Sequence, residues 1–147
     1  MYLEREKLIN FLKENGISPS PQRMQIYEYI ATHDTHPTAD EIYGAVYKKI
    51  PSLSKTTVYN TVRVLAEIGL INELTIDGTE IRYDADTRTH AHFKCTQCGR
   101  IFDISDGFDG NFSPELGKNE LNLEGHTVRF KQLYYYGICR DCRENSN

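Results

Sequence analysis

The sequence predicts an α+β protein: a winged helix-turn-helix domain followed by a smaller α/β domain with a structural zinc site. Three observations carry that expectation. Apolar residues recur at helical spacing in four stretches before residue 70. An alternating run from Leu70 to Asp84 then surrounds Asp77-Gly78, a strong signal for a two-residue hairpin turn. The second half holds two Cys-x-x-Cys pairs about forty residues apart, Cys95 with Cys98 and Cys139 with Cys142.

The elements follow in order. Residues 3–14 carry Leu3, Leu8, Phe11 and Leu12 on one helical face, and Gly16 ends that helix. Ser20-Pro21 caps and starts a second, marked by Met24, Tyr27 and Ile30. Thr38-Ala39-Asp40-Glu41 is a capping box for a third, with Ile42, Val46 and Ile50 inward and Pro51 stopping it. A fourth runs between the cap Ser54 and Gly69, with Val58, Val62, Leu65 and Ile68 toward the core. Lys55, Thr56, Tyr59, Asn60 and Arg63 are left on the opposite face. In a winged helix such a face enters the major groove, where Asn reads adenine, Arg reads guanine or grips phosphate, and Tyr or Thr packs on thymine methyls. An ordinary solvated polar face is the bland alternative.

The domains are expected at 1–84 and 89–147, with Ala85-Asp86-Thr87-Arg88 as a polar hinge. In the second domain, strands are expected at Ala91–Lys94 and Arg100–Ile104, a helix from Pro114 to Leu123 closed by Gly125, and a long strand from Thr127 to Ile138. Along that strand Val128, Phe130, Tyr134 and Tyr136 would share a buried side.

The net charge of −4 hides a local imbalance. From Ile42 to Ala66 there is no Asp or Glu, while Lys48, Lys49, Lys55 and Arg63 all fall there. A basic patch on an acidic chain suffices for phosphate contact. No run has the roughly 18 apolar residues of a membrane helix, and the charged start lacks an apolar targeting core, so the expected location is the cytoplasm. In that reducing compartment the four cysteines suit one tetrahedral zinc rather than disulfides. A thioredoxin-like redox pair would open a helix, whereas Gly99 and Arg100 lead into strand-like Ile101–Ile104.

Several segments in this order resemble the ferric uptake regulator family over nearly the whole chain. They are His36-Pro37-Thr38-Ala39-Asp40-Glu41-Ile42-Tyr43, Ser54-Lys55-Thr56-Thr57-Val58-Tyr59-Asn60-Thr61, Arg82-Tyr83-Asp84, His90-Ala91-His92-Phe93-Lys94-Cys95-Thr96-Gln97-Cys98-Gly99 and Tyr136-Gly137-Ile138-Cys139-Arg140-Asp141-Cys142. The resemblance implies a C-terminal dimerisation domain and repression, as a homodimer, at AT-rich palindromic double-stranded DNA. Lys55, Thr56, Thr57, Tyr59, Asn60 and Arg63 would be the DNA contacts. The pattern is most similar to the peroxide-sensing branch, which implies a regulatory metal held by His36, Asp84, His90, His92 and Asp103. Three imidazoles and two carboxylates suit iron(II) or manganese(II), and four soft thiolates suit zinc. Asp103, where iron-sensing members often carry Glu, points the same way. The His-His-Asp-His run of many iron sensors is replaced by Arg88-Thr89-His90-Ala91-His92, against a second regulatory site. His33 and His126 match no ligand position.

The implied mechanism is a metal-closed hinge that sets the spacing of two reading helices, opened when peroxide and bound iron oxidise His36 or His90. No turnover is involved, so no enzyme is expected. An iron- or zinc-availability sensor of the same family, without peroxide sensing, is the nearest rival. A zinc hydrolase or deaminase is a distant one, since the His-x-Glu and Pro-Cys-x-x-Cys signature is missing and all four cysteines are spent on one closed site.

Overall fold

The structure, a computed structural model, is described for residues 3–88, 90–105, 121–128 and 131–145. The chain divides into two compact units, Met1–Thr87 and Arg88–Asn147.

The first unit is four helices and then a strand pair: α1 Arg5–Glu14, α2 Pro21–Thr32, α3 Ala39–Val46, α4 Lys55–Glu67, β1 Asn72–Leu74 and β2 Arg82–Asp84. Local chemistry accounts for most helix ends. The Ser20 side chain accepts from the Arg23 amide, with Pro21 in the first turn, and the Ser54 side chain accepts from the Thr57 amide. Both halves of the Thr38–Glu41 capping box form. Gly16 and Gly69 follow α1 and α4 at φ +74 and +75, where a side chain would be strained. The core is built where the helical faces meet: Leu8 and Leu12 from α1, Ile26 and Ile30 from α2, Ile42 and Val46 from α3, and Val58, Val62 and Leu65 from α4. Ile26, Ile42, Val58 and Leu65 are fully buried, so these are the positions where truncation leaves a cavity.

Two expectations need correction here. The third helix ends at Val46, well before Pro51, although Ile50 still packs half-buried against the core. Ile68 caps α4 and packs half-buried against the core, on the face expected of it. The turn between β1 and β2 is not a two-residue one. Asn72 pairs with Asp84 and Leu74 with Arg82, which leaves residues 75–81 as the connection. Gly78, at φ +76, closes a tight turn onto the Thr75 carbonyl inside it, and Asp77 ion-pairs with Arg82.

The second unit holds a three-stranded sheet in the order β4-β3-β7, with β3 Ala91–Cys95, β4 Ile101–Ile104 and β7 Tyr134–Gly137. β3 runs antiparallel to β4 and parallel to β7. A separate hairpin joins β5 Leu121–Leu123 to β6 His126–Val128, and a short α5, Arg140–Glu144, follows Cys139. Most of the helix expected from Pro114 lies outside the described residues, and its last three residues are strand β5. The hairpin turns at Glu124-Gly125 with φ +52 and +87, the signs of a type I′ turn, so Gly125 makes a strand reversal instead of a helix cap. The long strand expected from Thr127 to Ile138 is interrupted, with residues 131–133 outside any strand. Phe130 lies outside the described residues, and Tyr136 is 56% exposed, so no continuous buried face runs to it. No helix among the described residues is long and apolar enough to cross a membrane.

Candidate functional sites

The parallel pairing of β3 with β7 sets Cys95 opposite Gly137, so both Cys-x-x-Cys turns leave the sheet at one end. The Thr96 amide and hydroxyl both donate to the Gly137 carbonyl and tie the turns together. The four sulfurs of Cys95, Cys98, Cys139 and Cys142 lie within 4.8 Å of one another. Cys95 Sγ is 3.8 Å from Cys142 Sγ, and Cys98 Sγ is 3.9 Å from Cys139 Sγ. Zinc–sulfur bonds of about 2.3 Å in a tetrahedron set sulfur–sulfur edges of about 3.8 Å, whereas a disulfide needs about 2.05 Å. The donor set therefore fits zinc. Backbone amides of Cys98 and Cys139 point at Cys95 Sγ and pull its pKa down to about 6, favouring the thiolate that a metal needs. Cys142 is pushed up to about 12, first by its hydrogen bond with the Cys139 sulfur and then by burial. Four such sulfurs become thiolates together only around a cation. An Arg100–Asp141 ion pair at 2.6 Å straps the two turns from outside.

Each unit also carries its own imidazole–carboxylate set. In the first, His36 Nε2 lies 3.7 Å from Asp84 Oδ2, and both residues are buried. The loop before α3 is pinned to β2 by the Tyr83 amide on the Pro37 carbonyl and by Arg82 Nη1 on the His36 carbonyl, each at 3.0 Å. In the second, His92 stands opposite Asp103 in the β3–β4 register. His90 Nε2 and His92 Nε2 each lie 3.3 Å from Asp103 Oδ1. His90 Nδ1 lies 2.6 Å from the Arg88 carbonyl, which can only accept, so that nitrogen carries a proton and Nε2, which faces Asp103, is the nitrogen placed to ligate a metal. Nitrogen and carboxylate donors of this kind suit iron(II) and manganese(II).

On α4 the expected contact residues Lys55, Thr56, Tyr59, Asn60 and Arg63 are exposed, as are Lys48 and Lys49 after α3. Thr57 is half-buried, its hydroxyl bonded to Ser54. Arg63 pairs with Glu67 on the same helix. Sequence reasoning missed the roles of Arg82, which holds the His36 carbonyl, and of Asp40, which accepts from the Tyr59 phenol at 3.1 Å. Asp40 reads in the sequence only as part of a helix start, and nothing local signals a partner so far along the chain.

Known proteins resemble the chain along nearly its whole length. The chain is 38% identical over 145 residues to the peroxide operon regulator of Bacillus subtilis, covering 98% of this chain and 97% of that one. It is 36% identical over 148 residues to the peroxide-responsive repressor PerR of Staphylococcus epidermidis, covering 98% and 93%. Among solved structures, that of the zinc-bound GAS PerR matches with a TM-score of 0.53 at 31% identity, covering 94% of this chain and 86% of that one. Residues 14–131 match the ferric uptake regulator family, and with relatives this similar along nearly the full length, the chain belongs to that family.

Proposed function

We propose that the chain is a homodimeric, metal-dependent transcriptional repressor of the peroxide-responsive kind. In this reading residues 1–84 form a winged-helix domain, 85–88 the hinge and 89–147 the dimerisation domain. α4 enters the major groove of an AT-rich palindrome, with Lys55, Thr56, Thr57, Tyr59, Asn60 and Arg63 as contacts. Cys95, Cys98, Cys139 and Cys142 hold the structural zinc. His36 and Asp84 come together with His90, His92 and Asp103 around one regulatory iron(II) or manganese(II), and the closed hinge sets the separation of the two reading helices.

The observation that supports this best is that all three imidazoles have Nε2 within 4 Å of a carboxylate oxygen, two of them sharing Asp103. The similarity to peroxide-responsive repressors supplies the signal. Bound iron(II) would supply one-electron reduction of peroxide beside the ligands. The oxidisable groups there would be the ligand imidazoles, and the family resemblance points to His36 or His90 among them. One ring would take one peroxide oxygen in place of a C–H hydrogen; its two electrons cleave the O–O bond, the other oxygen leaves as water, and the iron would end as iron(II). An oxidised ring is a poor ligand, so the hinge opens and DNA is released.

The test starts from anaerobically purified protein loaded with iron or with manganese. Binding is followed on a duplex enriched from a random pool by the manganese form. After brief micromolar peroxide, the iron form should leave the duplex with one added oxygen on the His36 or His90 peptide, and the manganese form should stay bound. Release with both histidines intact and Cys95 or Cys98 oxidised would make the zinc site the sensor. If neither form responds, the protein senses metal availability alone.

A further inference from the structure

Asp40 and Tyr43 stand three residues apart on α3, and Lys55 and Tyr59 four apart on α4, spacings that put each pair on one helix face. These faces meet outside the core. The Tyr59 hydroxyl donates to Asp40 Oδ1 at 3.1 Å, and Lys55 Nζ lies 5.6 Å from the centre of the Tyr43 ring. The fold does not require either contact. Tyr59 is 50% exposed and Lys55 is exposed, while Ile42, Val46, Val58 and Val62 already join the two helices beneath them. Nor does the helix start require Asp40, because Thr38 and Glu41 complete the capping box without it. Asp40 holds the proton on the phenol, raising the pKa of Tyr59 first through the hydrogen bond and then through its charge.

An exposed tyrosine that nothing holds exchanges among rotamers, and ordering it on binding costs affinity. A tyrosine already tied in one orientation avoids most of that loss. We propose that Asp40 is a positioning residue for DNA reading, holding the Tyr59 ring in one orientation on the exposed face of α4 so that it meets a base edge without reordering. Tyr43 steadies Lys55 beside it. The assignment rests on the proposed role of α4 in DNA binding, and it makes the surface of α3 part of the specificity apparatus without a DNA contact of its own.

The experiment uses the full-length manganese-loaded protein, the pool-enriched duplex and a scrambled duplex of the same composition. Fluorescence anisotropy at two salt concentrations gives the affinity ratio, and thermal melting reads the fold. Asp40→Ala should lower the ratio by about 3- to 10-fold, the scale of one lost hydrogen bond. Asp40→Asn keeps an acceptor for the phenol and should retain the ratio, binding both duplexes more tightly because one negative charge has gone. Both variants lose the same charge at the start of α3, so any shared fall in melting temperature cancels from that comparison. In a Tyr59→Phe background, Asp40→Ala should change the ratio no further. An unchanged ratio in Asp40→Ala, or an equal fall with Tyr59→Phe already present, would overturn the positioning role. Tyr59→Ala separates the two levels of the argument. If it lowers the ratio while Asp40→Ala does not, only the positioning role is lost. If it leaves the ratio unchanged, α4 is not the reader and the proposed DNA interface fails with it.

Discussion

His36 sits at φ +52, a left-handed conformation that costs a non-glycine residue of order 1–3 kcal/mol unless its surroundings hold it. Arg82 does the holding: its guanidinium ion-pairs with Asp77 and donates to the His36 carbonyl. The backbone is thereby fixed so that the imidazole faces Asp84. Arg82→Lys keeps a cation for Asp77 but lacks the planar fork that reaches both groups. Manganese affinity should therefore fall by about 10-fold, the scale on which groups supporting metal ligands act, while zinc content stays the same. Isothermal titration with manganese, alongside zinc analysis, checks this; unchanged manganese affinity would remove Arg82 from the site. At this scale the sequence was informative about which side chains carry chemistry. His90 and His92 stand two residues apart at the start of β3, and the thiolates come in pairs. It was silent about Asp40 with Tyr59 and Arg82 with His36, because contacts between distant segments depend on how the elements pack.

At the scale of elements, legibility followed locality. The starts of α2, α3 and α4 were readable because a cap satisfies backbone groups within three residues of itself. The β5–β6 hairpin was not, since Glu124-Gly125 is a weaker signal than Asn-Gly and the same glycine serves as well after a helix. The β3–β7 pairing was not readable either, and on it depends the meeting of the two cysteine turns. Structural zinc contributes on the order of 10 kcal/mol to folding in small domains. Cys142→Ser should purify without zinc, lose the second unit's ordered near-ultraviolet signal and fail to form a dimer on gel filtration. A zinc-free, dimeric Cys142→Ser protein with a native spectrum would remove the structural role from this cluster.

For the whole molecule, the fold class and the two groups of metal donors were legible because each half of the sequence carries its own chemistry. The proposed association of the donors into one regulatory site came from the family resemblance alone, since spacing within either half does not specify it. The proposal separates two metals by donor softness. EDTA should strip the nitrogen and carboxylate site while the four thiolates retain zinc. Chelated protein is expected to lose the enriched duplex, keep its zinc and melting behaviour, and recover DNA binding with manganese(II). Tight binding by chelated, zinc-retaining protein would show that no second metal governs the affinity.

The strand order has a consequence for the chain as it is made. α1 to β2 complete their core from residues that are contiguous in sequence, so the first unit can close while later segments are still being synthesised. The second unit cannot follow piecemeal. β3 gains its parallel neighbour only when β7 has emerged, and Cys95 and Cys98 wait until then for Cys139 and Cys142. Throughout that interval the early pair is a two-thiol chelate, weak for metal and open to oxidation. Zinc and reducing conditions during synthesis therefore matter more to the yield of this protein than to its upkeep once folded.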